Sequence, residues 1–333
     1  HFPVPQGGDP LKNIDYDEAI KYLYSHDNYH ILTHQSPDGD TLGSAFALCA
    51  VLRKLGKKAN VLCSDEFPHR YDLMYEGYQP MKFMPETIVA VDVADSKLLG
   101  RGLNHYADFV NLCIDHHISN TFYAEMTLVN PNASAACEVI YEIFDKMGIE
   151  LDTYIAACLY TGIATDTGCF KYENTTPRCH VIASELMSRY SIPYAIINRK
   201  MFDVKSKTRL KIEQYVLSNM EFYLDDRCTM ITITNEMTED FGIEMAEFEG
   251  LASLTIELEN VEVGVTIKQK AENVYKISMR SATTVDVSEL CKQLGGGGHV
   301  KAAGCQLTGT LEEVKRRILT VVAGALGYDL WLV

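Results

Sequence analysis

The sequence predicts an α/β protein in two parts: a doubly wound parallel sheet first, then a smaller α+β unit, joined by a helical connector. Three observations predict it. From Asn28 to about Ser191, short β-rich runs alternate with longer helical stretches, which is the rhythm of βαβ units. Runs such as ETIVAVDV are apolar almost throughout, as strands are when a sheet is covered on both faces. Past residue 220 that rhythm gives way to two hairpin patterns and a closing amphipathic helix.

In chain order, the opening HFPVPQGGDP lacks an initiator Met and carries no weight in the fold. YHILTH reads as the first strand, followed by a helix from about Asp40 to Leu55. NVLCS, TIVAVDV and FVNLCID read as further strands, with helices around 134–147 and 152–165. Residues 1–192 make the first domain. The charge-rich stretch 193–219 has no strand signal and is expected to be the connector, leaving 220–333 as the second domain. There, EFYLDDRCTMITITNE reads as one hairpin, VEVGVTIKQKAENVYKISMRS as a second turning at AEN, and TLEEVKRRILTVVAGAL as the last helix.

Composition narrows the function. With 47% hydrophobic and 23% charged residues the chain is an ordinary globular one, and no run approaches the roughly 18 apolar residues of a membrane span. A formal charge of −15 repels a long nucleic-acid backbone, so duplex is not an expected partner, whereas a small anion can be held where cations reverse the local field. The 10 cysteines form no Cys-x-x-Cys pair and read as reduced core thiols. No signal segment opens the sequence, and a cytoplasmic protein is expected.

Ligands of open parallel sheets bind at the carboxyl ends of strands, so polar residues there are read first. YHILT ends in His34, and QSPDGD then supplies Asp38 and Asp40, for which a Pro-Asp-Gly turn with Asp40 as helix cap is the plain structural alternative. TIVAV delivers Asp92, and FVNLCI delivers Asp115, His116 and His117. With 10 His in 333 residues, an adjacent pair preceded by an acid arises by chance about 0.04 times. Asp166, in GIATDTGCF, follows a helix whose negative dipole end disfavours a carboxylate unless a cation is near.

If Asp38, Asp40, Asp92 and Asp166 converge within about 5 Å, each pair repels by roughly 3 kcal/mol at an effective dielectric near 20. Six pairs then approach 20 kcal/mol, beyond a domain's whole stability. Protons or divalent cations must neutralise the cluster. Two imidazoles among four carboxylates suit manganese before iron, cobalt or zinc, and two such ions balance four charges. Paired metals activate water for displacement at phosphorus. Asp92, alone on its strand, is the natural bridging ligand.

At these residues the chain resembles the Asp-His-His (DHH) phosphoesterase superfamily. HQSPDGDTLGS, VDVAD, DHH and GIATDTG resemble its four motifs in order, while MRS and GGGGHVKAAG resemble the DHH-associated domain. That domain occurs in bacterial oligoribonuclease/pAp phosphatase proteins and in relatives that degrade cyclic-di-AMP or pApA. The resemblance implies His34, Asp38 and Asp92 on one metal, and Asp40, Asp92, His116 and Asp166 on the other. It further implies His117 facing the scissile phosphate, with Asp115 orienting the neighbouring imidazole. Asp95 reads as a helix cap.

Four consecutive glycines are usually kept where a ligand must approach the main chain closely. Gly296, Gly297 and Gly298 are therefore expected to cradle a phosphate, with Arg280, Ser281 and His299 adding side-chain contacts. Lys301 is as readily a solvated lysine. The expected activity is two-metal hydrolysis of nucleotides a few units long, or of one nucleotide with an extra phosphate, by a possible homodimer. A manganese-type inorganic pyrophosphatase would lack the GGGGH segment and its AAG tail, a processive single-strand exonuclease would need a basic channel, and a nucleotide sensor without turnover would not need a full ligand set.

Overall fold

The computed structural model describes residues 13–241 and 250–328. They form two compact units that divide between Val204 and Lys205. The division falls inside the stretch expected as a connector. Tyr194–Asn198 and a short π-helical turn, Arg199–Asp203, belong to the first unit, where Ile197 is buried in the core. The helix Lys207–Ser218 belongs to the second unit, where Ile212 and Val216 are buried.

The first unit is built on five parallel strands: β1 (Tyr29–Leu32), β2 (Ala59–Leu62), β3 (Thr87–Val91), β4 (Leu112–Asp115) and β5 (Met126–Val129). Their order is β2-β1-β3-β4-β5. The chain leaves β1 toward β2 on one side and leaves β3 toward β4 on the other, so the switch point of this doubly wound order lies between β1 and β3. All five residues of β3 are buried because alternate ones enter different cores. Val89 and Val91 join Leu112 and Ile114 on one face, while Ile88 and Ala90 join Leu32 and Cys113 on the other.

The two faces are covered unequally. The first packs against five helices: α1 (Tyr16–Ser25), α2 (Gly39–Lys54), α3 (Ala136–Lys146), α4 (Thr153–Asp166) and α5 (Pro177–Tyr190). The second is covered by the short turns of residues 96–109 through Leu99, Leu103 and Tyr106. Helices α2 and α4 run antiparallel in close contact, which brings the start of one to the end of the other. Gly43 and Gly162 make the approach possible. A Cβ on Gly43 would lie 2.5 Å from the Cys158 carbonyl oxygen, and one on Gly162 would overlap the Cys137 sulfur and lie 2.9 Å from Asp40 Oδ1. Gly162→Ala is therefore expected to destabilise the protein by roughly 1–3 kcal/mol through overpacking, despite alanine's better helix propensity. Denaturant midpoints compared with wild type check this, and an unchanged or raised midpoint refutes the tight seam.

In the second unit, the strands β6 (Glu221–Tyr223), β7 (Cys228–Ile233), β8 (Val263–Ala271), β9 (Val274–Ser281), β10 (Gly297–His299) and β11 (Ala302–Thr308) form one sheet of order β10-β11-β9-β8-β7-β6. Both expected hairpins form, β6-β7 and β8-β9, and β7 pairs with β8 in parallel. One face carries α6 (Val287–Gln293) and α7 (Leu311–Ala325) over Met230, Val265 and Ile277; the other carries Ile212, Val216 and Ile231. Cys63 and Cys169 are half-buried and the other cysteines buried, all as free thiols. No helix among the described residues is long and apolar enough to cross a membrane.

Candidate metal centre

The carboxyl ends of β1, β3 and β4, the start of α2 and the end of α4 meet at the switch point. They bring together His34, Asp38, Asp40, Asp92, Asp115, His116, His117 and Asp166, all drawn from the first unit. His34 Nε2 stands 3.7 Å from Asp38 Oδ1 and 3.6 Å from Asp92 Oδ2. His116 Nε2 stands 3.6 Å from Asp92 Oδ1, 3.6 Å from Asp166 Oδ2 and 3.8 Å from Asp40 Oδ2. These separations are too long for hydrogen bonds. They suit atoms that share a cation, since two ligands each about 2.1 Å from one ion at tetrahedral to trigonal angles lie roughly 3.4–3.6 Å apart. Asp92 Oδ1 and His116 Nε2 are also buried with no hydrogen-bond partner, which in a packed interior signals a missing positive partner. Asp92, with one oxygen toward each imidazole, stands between the two groups.

Local structure fixes each side chain. The ring nitrogen Nδ1 of His34 is 2.8 Å from the Gln35 carbonyl, and that of His116 is 3.2 Å from the Ala133 carbonyl; donation there leaves each Nε2 lone pair facing the carboxylates. Asp38 is the cap of α2, its Oδ1 accepting from the Asp40 and Thr41 amides at 3.0 and 3.1 Å. This corrects the reading of Asp40 as the cap. Asp40 sits inside the first turn and accepts instead from the Ala136 and Cys137 amides at 2.6 and 2.9 Å, so it neutralises the start of α3. Asp92 adopts φ +57°, a left-handed conformation uncommon outside glycine and asparagine, held by its amide donating to the Ile114 carbonyl at 2.9 Å.

Asp115 is fully buried and fully used. Its Oδ1 accepts from the His116 amide at 2.7 Å and lies 2.8 Å from His117 Nδ1, and its Oδ2 accepts from Asn120 Nδ2 at 2.6 Å. His117 is 44% exposed, enough for its free nitrogen to meet a ligand. Asp95 does cap a short helical turn, accepting from the Lys97 amide. Sequence reasoning missed Asn120, which holds Asp115, and Asn174, whose Nδ2 donates to the Asp166 carbonyl at 3.1 Å. Neither belongs to a readable motif.

The glycine run meets a steric demand of its own sheet. A Cβ on Gly296 would overlap the Gly304 carbonyl oxygen, and one on Gly298, at φ +148°, would lie 2.6 Å from Ala303 Cα. Both glycines are required by the neighbouring strand β11. Gly295 and Gly297 have open space beside them. His299 is exposed on the edge strand β10, Arg280 is half-buried on β9, and Ser281 is buried with its hydroxyl donating to the Thr283 carbonyl at 3.3 Å. Lys301 donates to the same carbonyl, which makes it a structural lysine.

Without a metal, the cluster holds protons. Burial, then the Asp40 charge, pushes the Asp166 carboxyl up to about 8, and the same two causes raise Asp92 well above the carboxylate range. Burial disfavours a charged His34, yet Asp38 and Asp92 outweigh it and push the imidazole up to about 11. All these groups bind protons more tightly folded than unfolded, so stability falls as pH rises: from about 4 through 8 for Asp166, and from about 6.5 through 11 for His34, with Asp92 acting in the same direction. In chelator, the melting temperature is expected to fall steadily between pH 5.5 and 9; a rise over that range rules out the shared-proton cluster.

Comparison with known proteins agrees with this architecture. The DHH family N-terminal domain matches residues 28–163, and the DHHA1 domain matches residues 229–327. The chain is 33% identical over 299 residues to the bifunctional oligoribonuclease and PAP phosphatase NrnA of Thermus thermophilus, covering 88% of each. It is 27% identical to the probable bifunctional oligoribonuclease and PAP phosphatase NrnA of Streptococcus mutans, covering 85% of this chain and 90% of that protein. The crystal structure of an exopolyphosphatase-related protein from Bacteroides fragilis superposes with a TM-score of 0.78 at 29% identity, covering 94% of this chain and 95% of that one. With the switch-point cluster in one unit and the mixed sheet in the other, the chain belongs to the DHH family and carries a DHHA1 domain.

Proposed function

We propose that the protein is a metal-dependent phosphoesterase that hydrolyses short nucleotide substrates: short oligoribonucleotides, pApA, pAp or cyclic-di-AMP. One observation carries the reading: two groups of cation-spaced ligands share Asp92, whose buried Oδ1 makes no hydrogen bond. The names of the NrnA relatives support the substrate class.

His34, Asp38 and Asp92 would hold one divalent cation, and Asp40, Asp92, His116 and Asp166 a second, with manganese the best match to this oxygen-rich donor set. Bound there, such ions would activate water and offset charge on the reacting phosphate. The chain's own contribution is position and protons. Asp115 hydrogen-bonds His117 and, as the largest influence, pushes its imidazole up to about 9, so His117 is charged at neutral pH. With Nδ1 held by Asp115, its other nitrogen is free to donate a proton to a departing oxygen. Arg280, Ser281, Gly297 and His299 are the second unit's candidates for contacts to the rest of the nucleotide, and Gly296 and Gly298 shape the strand that carries them. Unpaired cysteines suit a reducing compartment, and we place the protein in the cytoplasm.

Purified protein given manganese and, separately, pAp, pApA, a short RNA and cyclic-di-AMP tests this. Release of AMP or mononucleotides from at least one is expected, and inertness toward all four with manganese, magnesium and cobalt refutes the reading.

A further inference from the structure

Beside the carboxylates, within the first unit, lies a cavity of about 260 Å³. Asp38 and Asp166 line one wall, Met201 and Phe202 an apolar one, and Arg70 and Tyr71 the remaining one. Arg70 is the only cation in this lining, and it forms no ion pair among the described residues although the protein carries a net charge of −15. Its guanidinium carbon lies 4.8 Å from the centre of the Tyr71 ring, and that ring is buried, so the guanidinium rests against a fixed surface.

The two outer walls are one assembly. Asp72, next to Tyr71, pairs with Lys200 of the π-helical turn that carries Met201 and Phe202, and lies 3.0 Å from His69 Nδ1 at the start of the Arg70 turn. The Lys200 ammonium is the largest influence holding the Asp72 carboxyl below the usual range. Single π turns are rare and concentrate at functional sites.

We propose that Arg70 receives a second phosphate group of the nucleotide, one that is not cleaved, while the sugar or base rests on Met201 and Phe202. This rests on the phosphoesterase reading of the neighbouring cluster. Asp38 and Asp166 repel any phosphate that no cation neutralises. A phosphate taken by the metal ligands leaves a second one on the same nucleotide without an electrostatic partner in this cavity except Arg70. A guanidinium fork resting against a buried ring offers it two parallel hydrogen bonds. The volume falls just below the roughly 300–1,000 Å³ of sites for drug-sized ligands, which is room for one nucleotide unit and not a longer chain. Arg70 is thus a specificity residue that favours nucleotides with two phosphate groups over those with one.

Calorimetric titration in calcium, with adenosine 3′,5′-bisphosphate and with AMP as probes, tests this on wild type, Arg70→Ala and Arg70→Lys. Wild type is expected to favour the bisphosphate. Arg70→Ala should remove about tenfold of that preference while AMP affinity, manganese binding and melting temperature stay unchanged, and Arg70→Lys should restore only part of it. An unchanged preference in Arg70→Ala, or equal weakening of both ligands, overturns the assignment. Because the readout is a binding ratio, it stands apart from turnover: an inactive wild type refutes the phosphoesterase reading, and a preference that ignores Arg70 refutes this one.

Discussion

Asp92→Asn is expected to empty at least one cation position and to lower turnover by about 10²–10³-fold, the loss of several kcal/mol of transition-state stabilisation. Asparagine is the right substitution because it keeps the shape and tolerates the left-handed backbone that Asp92 adopts at φ +57°. Alanine would add backbone strain and confuse the result. The variant should also carry a second, opposite signature. Asp92 is 3% exposed and, beside Asp40, must take up a proton in the metal-free fold, a cost that the neutral amide does not carry. In chelator, Asp92→Asn should therefore melt higher than wild type, while the rise in melting temperature that manganese gives wild type shrinks or disappears. Elemental analysis showing the same metal content as wild type would refute the bridging role outright.

His117→Ala is expected to keep its metals and lose about 10²–10⁴-fold in turnover, the usual contribution of a positioned proton donor. The imidazole is the most exposed of the three cluster histidines, at 44%, and its Nδ1 is already occupied by Asp115 at 2.8 Å. Its loss removes no ligand from the His34 and His116 groups. The pH profile separates a proton donor from a packing residue: wild-type activity should decline as pH rises toward the value near 9 to which Asp115 pushes His117, and the variant should lose that limb. Asp115→Asn, which leaves the ring in place with a weaker orienting partner, should cost about 10–100-fold. If His117→Ala comes out of purification stripped of metal, the residue is structural.

Much of the centre was legible because parallel sheets gather ligands at strand ends. His34, Asp92 and the Asp115-His116-His117 triplet each follow a run of apolar residues long enough to mark the strand and its exit. What escaped depends on contacts distant in sequence. Asp38 and Asp40 occupy one helical turn, and the choice of cap is settled by the amides of Ala136 and Cys137, nearly a hundred residues away, which claim Asp40. The glycine run was legible only as a ligand's place of approach; that strand β11 also presses on Gly296 and Gly298 depends on a pairing the sequence does not show. The 193–219 stretch has no strand pattern, yet nothing in its composition marks where the π turn ends and the second unit begins. Arg70 lies in no motif, and only the folded chain shows that it lines one cavity with Asp38 and Asp166 and forms no ion pair among the described residues.

The glycine seam between α2 and α4 reaches beyond stability. Asp40 and Asp166 ride on opposite partners of that helix pair, and Gly43 and Gly162 set the gap between them. The seam thus acts as a calliper on the carboxylates: a methyl group at Gly162 would lie 2.9 Å from Asp40 Oδ1, so the helix contact itself fixes where that oxygen can sit.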